Sequence, residues 1–144
     1  MKKIKLTKGQ YAIVDDFNFD WLNQWKWQFG TSGYAVRKEG RKTIRMHRLV
    51  NFTPSWLFTD HINQNKLDNR RGNLRSVTKS QNGFNREKPI SNTSGIKGVY
   101  WDKFTNKWRA EIKVDYKKIS LGRYNELWTA KLARRWGERI YHVI

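Results

Sequence analysis

Asp60 and His61 are neighbours in the chain, and an amide, Asn82, follows in the next polar cluster. Hydrolysis of a phosphodiester needs a divalent cation held by hard oxygen ligands and a base that is neutral near pH 7. Asp60 and Asn82 can offer the oxygens. His61 can be the base, since an ordinary imidazole has a pKa of about 6.5. Taken singly, these residue types have plainer uses: an Asp-His pair is common in turns, and Asn-rich loops make Asx turns and helix caps. Their order and spacing carry the argument.

His61, Asn73 and Asn82, with eleven and eight residues between them, resemble the three signature positions of the HNH nucleases, in the variant whose last His is replaced by Asn. The string DHINQNKLDNRRGNLRSVTKSQNGFN at residues 60–85, preceded by MHRLV at 46–50, is similar to phage and intron-encoded HNH homing endonucleases. The resemblance implies a ββα unit with magnesium or manganese between hairpin and helix. It implies Asp60 and Asn82 as metal ligands, His61 as the base that activates water, and Asn73 as a brace on the His61 loop. Asn85 is a reserve ligand. His47 stands at a recurring family position before the Asp-His pair, either as a hydrogen-bonded structural residue or as a phosphate contact. Arg70, Arg71, Arg75 and Arg86 are candidates for phosphate contacts.

These side chains need a scaffold. Residues 57–62 read as a first strand, 63–73 as a long polar connection and 74–77 as the returning strand, after which Thr78 can cap a helix over 80–86. Strand alternation sends adjacent side chains to opposite faces, so Asp60 and His61 can serve one site only from a strand end or a bulge. Residues 46–52 read as a short helix stopped by Pro54. Within 1–45 the pattern predicts strands at Ile4 to Leu6 and at 12–14, and a helix capped by Asp20 and running to Trp25. A hairpin over 26–29 and 34–37 and a strand at 43–45 follow. This region resembles the β-rich lead-in that often precedes the nuclease motif, and it serves as scaffold or as a DNA contact.

Residues 87–95, EKPISNTSG, have the composition of a linker. Beyond them Val99 and Trp101 alternate, as do Trp108, Ala110 and Ile112, and Ile119 and Leu121, which predicts a three-stranded antiparallel sheet with one apolar face. Leu127, Ala130, Ala133, Trp136 and Ile140 recur at helical spacing and predict a helix over that face. The open face displays Tyr100, Asp102, Lys107, Arg109, Glu111, Lys113 and Lys118, and basic strands of this kind can enter a major groove. The Gly-Val, Lys-Trp-x-Ala-x-Ile and Leu-Gly-x-Tyr landmarks resemble the Apetala-type (ethylene-response-factor) DNA-binding domain. That resemblance implies contacts from Lys97, Tyr100, Asp102, Lys107, Glu111, Lys113, Lys118 and Ser120. Tyr100 and Asp102 replace the usual first-strand arginines and Ser120 a frequent Trp, so the docking mode carries over and the sequence preference does not. Asp102 also suits a turn.

Composition narrows the class. The net charge of +18, with a pI near 10.4, favours a polyanionic partner. The excess is spread as +6 over residues 1–45, +4 over 46–87 and +8 over 88–144, which argues for phosphate contacts along the whole chain. With no cysteine, disulfides and thiolate zinc sites are excluded and any metal must use O or N ligands. No apolar run approaches the roughly 20 residues of a membrane span. Most of the eight tryptophans are expected in small cores.

The combined expectation is an α+β protein with a lead-in at 1–45, an HNH nuclease at 46–87, a linker at 88–95 and an Apetala-type domain at 96–144. It is a monomer in the cytoplasm, hydrolyses double-stranded DNA with a divalent metal, nicks one strand, and needs no membrane and no obligate protein partner. The alternative is a DNA-binding regulator with an inactive nuclease remnant. An RNA- or ribosome-associated protein is permitted by the charge and disfavoured by an open sheet face that carries charge rather than stacking rings.

Overall fold

Alternation of Lys with apolar residues at the start of the chain builds a strand with one buried side. In the computed structural model, which describes residues 1–86 and 88–142, β1 (Lys2–Lys5) pairs antiparallel with β2 (Tyr11–Val14) and places Ile4, Ala12 and Val14 in a core. Glu87, at the end of the predicted nuclease segment and the start of the linker, lies outside the described residues, as do Val143 and Ile144. The chain is α+β, with four small sheets and four helices among the described residues. It divides into two compact units, Met1–Asn85 and Arg86–Ile144.

In the first unit α1 (Asp16–Asn23) begins after Asp15, not after the expected Asp20. Asp16 supplies the acidic charge that suits a helix N-terminus, and its carboxylate also pairs with the Met1 ammonium at 2.8 Å. Asp20 therefore lies inside the helix. Leu22 is fully buried from α1 and meets Trp27. The sheet β3 (Gln28–Phe29), β4 (Ala35–Glu39) and β5 (Lys42–Arg45) leads directly into α2 (Met46–Asn51), which Phe52 ends in a left-handed conformation. Met46 and Val50 of α2 and Leu74 of the later hairpin join the same core as Ile4, Leu22 and Trp27. The lead-in and the nuclease hairpin thus fold around shared apolar side chains.

The hairpin is β6 (Phe58–His61) and β7 (Leu74–Val77), followed by α3 (Lys79–Phe84). Thr78 accepts from the Gln81 backbone at 3.2 Å and Gln81 returns the bond to the Thr78 backbone at 2.9 Å, a complete capping box. The helix stops at Phe84, two residues short of the expected end.

The second unit holds β8 (Val99–Asp102), β9 (Lys107–Val114) and β10 (Lys117–Tyr124) in an antiparallel sheet, covered by α4 (Leu127–Tyr141). Val99, Ala110 and Ala130 form its core, as the alternation predicts. Leu127, Ala130 and Ala133 face that core as expected, and the departure is in the last two turns of the helix. Trp136 and Ile140 are 61% and 63% exposed, and Arg134 and Gly137 face inward instead. Close approach explains the choice: a Cβ on Gly137 would lie 2.6 Å from Leu121 Cδ1. Arg134 donates from Nε to the Lys97 carbonyl at 2.8 Å while its charge reaches Glu138 at 3.2 Å. Four of the eight tryptophans, Trp56, Trp101, Trp128 and Trp136, are exposed, so the rings contribute less to the cores than their number suggests. Among the described residues no helix is long and apolar enough to cross a membrane.

Candidate active site

His61 is the last residue of β6, and the register Asp60↔Arg75, His61↔Leu74 is unbroken. The pair therefore sits at a strand end, without a bulge. Both side chains are buried, Asp60 at 7% and His61 at 5% exposure, so each needs partners. Asp60 Oδ2 accepts from Arg75 Nε at 2.9 Å and Nη2 at 2.8 Å, and Asn85 Nδ2 lies 3.3 Å from Oδ1. His61 turns to a different set. Its Nε2 is 3.0 Å from Asn69 Oδ1, and its ring lies 5.1 Å from that of His47 and 5.9 Å from that of Tyr34.

The connection between the strands is built from Asx turns. Asn63 Oδ1 accepts from the Asn65 backbone at 2.9 Å, and Asn65 Oδ1 from the Leu67 backbone at 3.1 Å. Asn73 closes the loop: its Oδ1 accepts from the Asn63 backbone at 3.0 Å, and its Nδ2 donates to the Asp68 carbonyl at 2.8 Å. From outside, β2 pins the same loop through Ile13, which donates to Leu67 and accepts from Asn69, both at 2.8 Å.

Asn85 donates to the His61 carbonyl at 2.8 Å and so ties the end of α3 to the strand end. Asn82, the ligand expected from spacing, is half-buried on α3, and its side chain makes no hydrogen bond among the described residues. The structure brings Asn85, not Asn82, into hydrogen-bonding contact with Asp60. Among the described residues no three His, Cys, Asp or Glu side chains converge as a metal site. The donor set still fits a hard divalent cation. Asp60 Oδ1 takes only the long Asn85 contact, leaving lone-pair capacity, and the other donors are amide oxygens. Magnesium accepts such a sparse set because it keeps water and substrate phosphate as ligands.

The HNH endonuclease family matches residues 54–84, the stretch from Pro54, beyond α2, through β6, the loop and β7 into α3. An uncharacterized HNH endonuclease of Acanthamoeba polyphaga mimivirus is 35% identical over 99 residues, which is 64% of this chain and 51% of that protein. Protein 3.8 of Escherichia phage T7 is 37% identical over 82 residues, 56% of this chain and 68% of that protein. The chain carries an HNH endonuclease family domain. It spans about half the length of the mimivirus relative. No solved structure matches it. HNH nucleases generally use a divalent metal and act on DNA, and the match ends one residue before Asn85, with Asp60, His61, Asn73 and Asn82 inside it.

Around this HNH domain three of the four arginines proposed for phosphate are already engaged. Arg70 forms a salt bridge to Asp68 at 2.7 Å, Arg75 holds Asp60, and Arg71 donates from Nη1 to the Asn51 carbonyl at 3.0 Å and to the Asn51 side-chain oxygen. Arg86 is exposed. Asn69 and Tyr34 are site residues that sequence reasoning missed. Asn69 falls within the polar connection 63–73, and its wholly buried state, which makes it a partner rather than a solvated amide, has no local signal.

His47 is buried with its Nδ1 unpaired among the described residues. Burial first, then the nearby His61, Arg45 and Arg48, push its pKa down to about 3. A folded value below the unfolded one means that the unfolded chain takes up the proton first. Stability is then full above pH 6.5 and falls with acidification by up to ~1.4 kcal/mol per pH unit from this group. The fall ends as pH passes the folded value of about 3. Urea unfolding at pH 7, 6 and 5 should show a shallower slope in His47→Gln than in the wild type. Equal slopes would mean that His47 is not held neutral.

On the second unit, Glu111 is the centre of the open sheet face. Tyr100 donates its hydroxyl proton to Glu111 at 2.8 Å, with Lys118 at 3.2 Å and Arg109 at 3.4 Å from the same carboxylate. Lys107 and Lys113 are exposed beside them, while Lys97 is half-buried and burial lowers its pKa. Asp102 accepts from the Phe104 backbone at 3.0 Å and pairs with Arg123 at 3.3 Å, so it shapes the β8–β9 turn.

Proposed function

We propose that the chain is a metal-dependent DNA endonuclease of the homing type that nicks one strand at a site read by the β8–β9–β10 sheet. The observation that carries this reading is the buried Asp60-His61 pair at the end of β6, with separate partners for each side chain inside the stretch that matches the HNH family. Asn69 Nδ2 donates to Met46 Sδ at 3.3 Å, which leaves Oδ1 to face His61 Nε2. His61 therefore carries its proton on Nε2 and keeps the Nδ1 lone pair for the attacking water. Asn73 keeps the loop closed, and Tyr34 and His47 wall the imidazole. A divalent ion held by Asp60 and Asn82, with Asn85 in reserve, would polarise the scissile phosphate and stabilise the leaving 3′ oxygen.

Burial lowers the pKa of His61, and its bond to Asn69 and the carboxylates of Asp60 and Asp68 oppose that fall. The base is neutral at pH 7. The rate should decline only on acidification through a value below the ordinary ~6.5, and a pH–rate profile with its acid limb above that would contradict the assigned base.

The open face of the second unit supports double-stranded DNA as the partner, because its long basic side chains stand on adjacent strands around Glu111. A single nuclease site on a monomer cuts one strand per encounter. Conversion of supercoiled plasmid to open circle, at low salt with magnesium or manganese, tests this directly. Nicking is expected with either ion and none with excess EDTA. If the chain shifts DNA on a gel yet nicks nothing on a broad panel of phage and host DNA, the reading gives way to a DNA-binding regulator with an inactive remnant.

A further inference from the structure

We infer that Arg75 gates the metal: in the free chain its guanidinium occupies the carboxylate that must take the cation, and a DNA phosphate draws it away. This rests on the reading of Asp60 as a metal ligand. Asp60 and Arg75 are register partners on β6 and β7, so the backbone itself sets the pair opposite one another. Both Nε and Nη2 fall on the same oxygen, Oδ2, at 2.9 and 2.8 Å. Among the described residues Asp60 is the one acceptor of Arg75 and Arg75 the one cation paired with Asp60.

The two side chains differ in access. The Arg75 side chain is 28% exposed and that of Asp60 10%, so the cation faces outward and can swing while the carboxylate stays in place. A guanidinium forks onto phosphate as readily as onto carboxylate. While it neutralises Asp60, a divalent cation meets a carboxylate with most of its charge already spent. Once a phosphate takes the guanidinium, Asp60 regains its full charge beside that same phosphate. Metal and DNA then bind with positive coupling, and linkage makes the effect reciprocal. Arg75 is on this account a positioning residue: it acts on the cation through Asp60.

The test uses the full chain and Mn2+ alone, with free Mn2+ followed by electron paramagnetic resonance at constant ionic strength and no DNA. Arg75→Gln should bind Mn2+ roughly tenfold more tightly than the wild type. Arg75→Lys, which keeps the cation without the fork and is the gentler change to the fold, should move the same way by a smaller factor. Asp60→Asn should abolish the binding. In a second arm, Ca2+ at fixed ionic strength should tighten wild-type binding to a random-sequence duplex by a larger factor than it tightens that of Arg75→Gln, which keeps only the direct contact between ion and phosphate. If both Arg75 variants bind Mn2+ no better than the wild type while Asp60→Asn abolishes binding, the gate is overturned and the nuclease reading survives. If Asp60→Asn binds Mn2+ as the wild type does, the metal-ligand reading itself falls.

Discussion

His61→Ala should lower the rate of DNA nicking by about 10²–10⁴-fold, the usual contribution of a general base, with little change in DNA affinity. His61 ends its strand, is buried, and points its Nε2 at an acceptor that is itself oriented by Met46. Alanine removes the Nδ1 lone pair proposed for the attacking water and leaves Asn69 Oδ1 without the His61 ring nitrogen that faces it. That second loss is structural, so the variant must be shown to fold by circular dichroism before its rate is interpreted. His61→Gln retains a donor for Asn69 without a base. It should keep the wild-type unfolding midpoint more closely and still lose the activity. Nicking at the wild-type rate by both variants would remove His61 from the mechanism.

Trp27→Ala should cost the first unit about 3–5 kcal/mol, the range for truncating a buried tryptophan, against a total stability of roughly 5–15 kcal/mol for a domain. Trp27 is 3% exposed and packs in the core that unites α1, α2 and β7. Its Nε1 donates to the Leu22 carbonyl at 2.8 Å, and the Arg37 guanidinium lies 5.7 Å from its ring. Truncation opens a cavity, leaves the Leu22 carbonyl without that donor and removes a face from Arg37, whose Nε is already buried without a partner among the described residues. Nicking should therefore be lost at temperatures where the wild type is folded, although among the described residues no hydrogen bond or ring contact joins Trp27 to Asp60 or His61. Because Arg86–Ile144 is a separate compact unit, its unfolding midpoint in urea should not move. A common shift of both units would show that they unfold as one.

The sequence by itself determined what is local. Thr78 and Gln81 are three residues apart and cap α3 wherever the hairpin leads. The alternation in residues 99–121 became three strands, and the spacing of His61, Asn73 and Asn82 marked the HNH endonuclease stretch before any contact was visible. Tertiary structure decided what depends on distant partners. Leu127, Ala130 and Ala133 face the sheet as their spacing predicts, but beyond them Trp136 and Ile140 continue one helical repeat and Arg134 and Gly137 another, and a shift of one residue turns a helix by about 100°. Periodicity alone does not separate them. The near contact between Gly137 and Leu121 does, because a Cβ there would displace the Leu121 methyl that packs under the helix. The partners of the site divide in the same way. Asn69 on His61, Arg75 on Asp60 and Tyr34 against both buried histidines arise where the hairpin closes and the lead-in packs beside it. A buried polar group takes whichever partner the fold brings within reach, and no local spacing encodes that choice.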